Sequence, residues 1–253
     1  MKKGSFSALL CRELICVRKS MKSYIIMMLI MVPMPFLCLL SFRHGNLGML
    51  IPEDAQWIFL GVDGFSLKLF VLAGGAALAM CSSDSMGCDI ATRWDHFRRS
   101  TPVPPVKMAL AKITVQAMFS AAAIVISTLL IWLMDIALGA SFSAADAAMS
   151  LAVVAAITLL SVLALLFVTA FKSVDKGMLI LMGCLMAIVT PISLYNKNNE
   201  PSSGAADQER MTQITEKAMD ICNDLLPFLP FILIGTLALG VAGLTLLYKR
   251  REK

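Results

Sequence analysis

Ile90, Trp94 and Phe97 recur at i, i+4 and i+7, and Asp89, Arg93, Asp95, Arg98 and Arg99 fill the positions around them. On a helix this spacing gathers two aromatics and an isoleucine into one stripe with charges at its flanks. The chemistry such a stripe can do is recognition. It can lie on a membrane face with Trp94 and the arginines as anchors. It can equally insert its aromatic rings into a groove on a partner protein. Pro102 cannot continue the helix, so the spacing predicts about three turns ending before it.

Residues for catalysis are harder to find. No GxxxxGK[ST] phosphate loop occurs, so any ATP used must be handled by another chain. No apolar run carries the paired carboxylates, His-Glu motif or Ser-Lys dyad of an intramembrane enzyme. Lys68 and Asp135 fall near the ends of apolar runs, where they are expected to snorkel to the interface. The core of every run reads as uncharged, which argues against ion or proton coupling. His44 and His96 stand far apart without partner ligands, so no metal site is expected. The chain reads as a non-enzyme.

Composition explains what surrounds the stripe. Hydrophobic residues make up 58% of the 253, and charged residues only 15%. The mean hydropathy is +0.78. A soluble domain carries roughly a quarter charged residues. Continuous apolar runs of about 20 residues, enough to cross a bilayer, recur along the chain. They do not alternate, which argues against a β-barrel. The expected class is all-α: a polytopic membrane protein forming a single domain over residues 1–253.

Six spans are expected, at Tyr24–Phe42, Phe65–Cys81, Ala109–Met134, Ala147–Phe171, Met178–Leu194 and Phe228–Tyr248. With both termini inside, 17 of the 22 lysines and arginines fall on the inner side. The positive-inside rule therefore sets the orientation. The net charge of +5 follows from basic residues facing an anionic leaflet, and nucleic acid is not needed to explain it. Residues 1–23 place Phe6, Leu9, Leu10, Leu14 and Val17 at helical spacing among lysines and arginines. This predicts an amphipathic interface helix that precedes an uncleaved first span.

Within the spans, Pro33 and Pro35 predict a kink, and Pro191 a further flexing point. Gly74-Gly75-Ala76-Ala77 predicts a close helix approach. The segment 195–226 combines a polar stretch with Met211, Ile214, Ala218, Ile221 and Leu225 at helical spacing. It is expected to form a surface or re-entrant outer helix before the last span. Of the 18 methionines, Met27, Met28, Met31 and Met34 cluster in the first span, and Met178, Met182 and Met186 share a helix face in the fifth. Methionines fill gaps in a bundle, and they can also line a pathway for varied apolar cargo. The pathway reading singles out Met27, Met31, Pro33, Met178, Met182 and Met186. The seven cysteines show no CxxC spacing and read as small apolar fillers.

The residues Gly87, Trp94-Asp95, Phe97, Ser100-Thr101-Pro102-Val103 and Ala111-Lys112 resemble the cytoplasmic loop of type-2 ABC transporter permeases, the six-span bacterial kind encoded apart from their ATPase. The whole layout is similar too, from the basic N-terminal helix to the helical segment before the last span. The resemblance implies that residues 83–101 form a coupling helix, with Asp89, Ile90, Arg93, Trp94, Phe97, Arg98 and Arg99 facing a cleft on the ATPase. It implies a plasma-membrane location, a second permease copy as partner, and ATP with Mg held by the ATPase rather than by this chain. In size and layout the chain is similar to permeases that export amphipathic peptides, such as the phenol-soluble modulin exporters. Where members often carry a polar pair after Pro-Val, this chain has Pro104-Pro105, which predicts a stiffened exit. A membrane immunity or sensor protein that sequesters a peptide is the alternative, and would need no ATPase.

Overall fold

The computed structural model describes residues 6–44, 65–92, 94, 103–198, 213, 217, 220–221 and 223–250. All regular structure among them is helical. Helix α1 spans Phe6–Met31 and α2 spans Pro33–His44. Helix α3 covers Phe65–Ala76 and passes through a 3₁₀ stretch, Ala77–Asp84, into the short α4, Ser85–Ala91. The longest helix, α5, runs from Pro105 to Leu138, followed by α6 over Ala144–Phe171, α7 over Val174–Asn198 and α8 over Leu229–Arg250.

Among the described residues, five helical segments are long and apolar enough to cross a membrane: Ser20–Ser41, Ser66–Ala91, Pro105–Leu138, Ala144–Phe171 and Leu229–Arg250. The remaining expected span, Met178–Leu194, lies within the 25-residue α7. The segment 195–226, expected on the outer side, falls mostly outside the described residues. Of its apolar stripe, Ile221 and Leu225 are described, both helical and exposed.

One expectation changes at the N-terminus. One helix continues from Phe6 through Ser23 and Tyr24 to Met31, so no turn separates an interface helix from a span. The reason is packing: Val17 is fully buried, and Leu10 and Leu14 join it in a cluster with Ala76, Leu78, Ala79 and Cys81. The break comes at Val32, directly before Pro33. Pro33 lacks the N–H that would continue the ladder, and its ring crowds the carbonyl one turn back. No break occurs at Pro191, through which α7 stays helical.

The segment from α3 to α4 runs through the middle of the bundle. Its glycines do what the sequence suggests. A Cβ on Gly75 would lie 2.7 Å from Ser127 Oγ and 3.2 Å from Ser127 Cα, and one on Gly74 would lie 3.2 Å from Val32 Cγ2. Only a bare backbone allows α3 to sit this close to α5. The proline pair starts α5: Pro104 takes the extended cap conformation and Pro105 the first helical position. That is where proline fits, because its missing N–H has no partner there in any case. The connection between the expected spans Ala147–Phe171 and Met178–Leu194 is shorter than the six residues that separate them in sequence. Lys172 adopts a left-handed conformation at φ 54° and α7 resumes at Val174. Gly177 then lies against the backbone of Val168, 2.7 Å from where its Cβ would be.

Helix α5 carries the organising pattern. Its buried face reads Lys112, Gln116, Ser120, Ala123, Ser127, Ile131 and Asp135, each three or four residues from the last. Leu110, Met118, Val125, Leu129 and Trp132 point outward. Polar groups face in and apolar groups face out, as suits a helix solvated by lipid rather than water.

Candidate functional site, a closed ring of charges beneath the bundle

Four charged side chains meet where α1, α4 and α5 converge. Lys112 Nζ lies 2.7 Å from Glu13 Oε2 and 2.8 Å from Asp89 Oδ2. Arg12 Nη1 lies 2.6 Å from Glu13 Oε1, and Arg12 Nη2 pairs with Asp89 Oδ1. Positive and negative groups thus alternate around a closed ring with no net charge. Lys112 also donates to Ser85 Oγ at 3.2 Å. Lys112, Glu13 and Ser85 are buried. An isolated charge there would be costly, but each one has an opposite on both sides. Burial works against the Arg12 charge, yet the adjoining Asp89 outweighs it and raises the guanidinium pKa above its ordinary value.

The ring extends to the recognition stripe. Arg12 Cζ stands 3.8 Å over the centroid of the Trp94 ring, a cation–π contact. Asp89 belongs to the same segment, and its carboxylate is paired within the ring with Arg12 and Lys112. Ile90 is exposed. Helix α4 ends at Ala91, and the Thr92 hydroxyl donates to Cys88 O at 2.8 Å. Arg93, Phe97, Arg98 and Arg99 lie outside the described residues.

One turn further along α5, Gln116 is fully buried and forms a second polar node. Its amide donates to Ala79 O at 2.8 Å, inside the 3₁₀ stretch, and to Ser120 Oγ at 3.2 Å. Its carbonyl accepts from Ser161 Oγ at 2.8 Å and from Ser82 Oγ. Ser120 and Thr158 hydroxyls meet at 2.9 Å. One side chain therefore ties α5, α6 and the 3₁₀ stretch together.

The opposite end of α5 holds a triad. Lys68 Nζ is 2.6 Å from Asp135 Oδ1 and 2.8 Å from Asp146 Oδ1. Asp146 also closes the capping box of α6: its Oδ2 accepts from Ser143 N at 3.0 Å and from Ser143 Oγ at 2.6 Å. Asp135 Oδ1 is near Lys68 without hydrogen-bond alignment, so that contact is a charge interaction. The expectation that Lys68 and Asp135 snorkel outward is corrected: they are 3% and 1% exposed. Asp135 sits in the last turn of α5 and Asp146 in the first turn of α6, and the short connection between them folds both onto Lys68. Lys112 and Asp135 are separated by roughly 35 Å at 1.5 Å per residue, close to the ~30 Å of a hydrocarbon core. The ionic clusters bracket the apolar length of the helix.

The methionine set does not converge within one copy of the chain. Met27 is exposed on α1, Met31 lies against α3 near Gly74, and Pro33 is exposed. Met178 packs partly against a cluster containing Met86 and Val168, whereas Met182 and Met186 are exposed on α7. Helix α1 packs against α3 and the 3₁₀ stretch, and α7 packs against α6. Among the described residues no group of histidine, cysteine, aspartate or glutamate is arranged to hold a metal ion.

No family model, curated protein or solved structure matches the chain.

Proposed function

We propose that this chain is the permease subunit of an ATP-driven exporter whose ATPase is a separate protein. The cargo class that suits its apolar, lipid-facing bundle is amphipathic peptides or other hydrophobic compounds. On this reading α7 is a sixth span, both termini lie in the cytoplasm of a bacterial cell, and two copies, or this chain and a similar one, form the pathway.

The observation that carries the reading is the ring joining Arg12 and Glu13 to Asp89 and Lys112, with Trp94 stacked beneath Arg12. A force-transmitting helix must be fixed to the spans it moves. Here the recognition stripe is anchored through Asp89 and Trp94 to both α1 and α5. Ile90 remains on the surface, where a partner can reach it. These part-buried attachments give a push on the stripe a packed route to the bundle.

The test is co-purification with candidate ABC ATPases of the same cell, beginning with any that a neighbouring gene encodes. The pair is expected to co-elute and to hydrolyse ATP, and this chain alone is expected to hydrolyse none. Trp94→Ala combined with Phe97→Ala should weaken ATPase affinity by about tenfold or more, as loss of aromatic anchors does at other interfaces. Unchanged affinity in a variant that still elutes as a folded bundle would refute the coupling role. Failure of any ATPase to associate would favour the peptide-sequestering alternative.

A further inference from the structure

Cys16 on α1 and Cys88 on α4 are 72 residues apart in sequence, yet the Cys88 thiol donates to Cys16 Sγ at 2.9 Å. Both are free thiols and both are partly exposed. They lie one turn from Arg12 and one residue from Asp89, so the charge ring that joins these helices also holds the two sulfurs in register. We propose that Cys16 and Cys88 are a redox-controlled staple: a disulfide between them locks the N-terminal helix to the recognition stripe.

The pair is separate from the ring chemically. Ion pairs can slide and exchange partners as the helices move, but a disulfide cannot. The oxidant is a low-molecular-weight disulfide. The Cys88 thiolate attacks one of its sulfurs and releases one small thiol, giving a mixed disulfide on Cys88. The Cys16 thiolate then attacks the Cys88 sulfur and releases the second. Two protein thiols lose their protons and two electrons, and two small thiols gain them. Cys16 is a poor first nucleophile, because burial, then the Cys88 thiol beside it, push its own thiol up to about 12. Once Cys88 is capped, burial still opposes the Cys16 thiolate, but the share due to the Cys88 thiol is gone and the Arg12 guanidinium nearby favours the charged form. Proximity supplies the rest of the rate. In a reducing compartment the bond is reversible, as suits a sensor rather than a structural bridge.

The chemistry needs no ATPase, whereas its effect on transport rests on the permease reading, and the two are measured separately. The full chain, purified in detergent, is treated with oxidised glutathione and digested without reduction. A peptide linking Cys16 to Cys88 is expected, with Cys11 and Cys184, both exposed, ending only as glutathione adducts. Cys16→Ser and Cys88→Ser should each abolish the linked peptide. Its absence from the unaltered chain, with Cys11 and Cys184 modified, would overturn the staple. In the ATPase complex, oxidation is expected to stop cargo-stimulated hydrolysis and dithiothreitol to restore it, with Cys16→Ser insensitive to both. A linked peptide with unchanged turnover would overturn the lock. A linked peptide on a chain that binds no ATPase would leave the staple standing and remove the permease reading instead.

Discussion

Arg12 and Trp94 are stacked, the guanidinium carbon 3.8 Å from the ring centroid, although 82 positions of sequence separate them. The contact belongs to neither residue's expected role. Arg12 reads as one of several basic residues on an amphipathic helix, and Trp94 as an anchor for lipid or for a partner. Together they give the recognition stripe a fixed base. Arg12 contributes a planar fork that serves Glu13, Asp89 and the indole face at once. Lysine has neither the fork nor the flat face.

The ring beneath the bundle should respond unevenly to mutation. Lys112→Met leaves the buried Glu13 and the part-buried Asp89 with one cation between two carboxylates. Removing one partner of a buried pair costs about 3–5 kcal/mol. Lys112→Met with Glu13→Met removes one charge of each sign and leaves Arg12 with Asp89. The double variant is therefore expected to be more stable than Lys112→Met alone. Thermal inactivation followed by size-exclusion elution in detergent would measure this. A double variant as fragile as the single one would show that the ring is not acting as a charge-balanced unit.

The triad at the other end of α5 makes the opposite prediction, because its charges do not balance. Lys68 faces both Asp135 and Asp146, and Asp135 has no hydrogen-bond donor to either oxygen. Asp146 is further held by Ser143. Asp135 also sits at the negative end of the α5 dipole. Asp135→Asn should therefore be neutral or stabilising. Lys68→Met should cost about 3–5 kcal/mol, since it strands two buried carboxylates. The same heating assay ranks them, and equal loss from both variants would contradict the assignment of Asp135 as the excess charge.

The broad architecture was legible in the sequence because apolar run length is a strong signal. The spans beginning near Ala109, Ala147 and Phe228 have helices in the expected places, lengthened by a few residues at one or both ends. The break at Pro33 and the close approach at Gly75 were legible for an equally local reason: proline and glycine act on their own backbone. The ionic clusters were not. Lys68, Asp135 and Lys112 each fall near the end of an apolar run, where an exposed position is the ordinary outcome. Their partners lie 67 or more residues away, in the cases of Asp135 and Glu13, and run length carries no pairing information. One signal was available. Lys112, Gln116, Ser120 and Ser127 repeat at helical spacing within α5, and that stripe marks the face turned to other helices. Cys16 and Cys88 had no such signal, because neither spacing nor periodicity connects them.

Glycine positions separate steric need from simple tolerance. Gly177→Ala would place a methyl group 2.7 Å from Val168 Cα and 2.8 Å from Val168 N. Backbone cannot yield as a side chain does, so α7 would be forced away from α6, at about 1–3 kcal/mol. Gly183 and Gly235 have nothing within 4 Å of a new Cβ. Alanine at those two sites is expected to be neutral or to add a few tenths of a kcal/mol through helix propensity, up to about 1. Equal melting behaviour of all three variants would mean that α6 and α7 do not pack as closely as described.

Cys16 provides the pH-dependent test. Burial pushes its thiol up to about 12, with the neighbouring Cys88 adding to the effect and Arg12 opposing it. An unfolded cysteine titrates near 8.5. The folded chain therefore holds the proton more tightly than the unfolded one. Below about 8.5 both states keep the proton and the contribution to stability is fully present. As pH rises from there toward 12, the unfolded chain releases its proton first and the contribution is progressively lost. Only the thiolate reacts with iodoacetamide, so alkylation of Cys16 in the folded chain should be slow at pH 7.5 and still slow at pH 9.5, then accelerate steeply above it. The same cysteine in denaturant should reach full reactivity near pH 9.5. Peptide mass spectrometry after timed labelling reads both rates at one residue. Replacing Cys88 with serine removes the competing thiol and should move the folded profile to lower pH. A Cys16 that labels in the folded chain as fast as in denaturant would place it away from α4 and undo the contact.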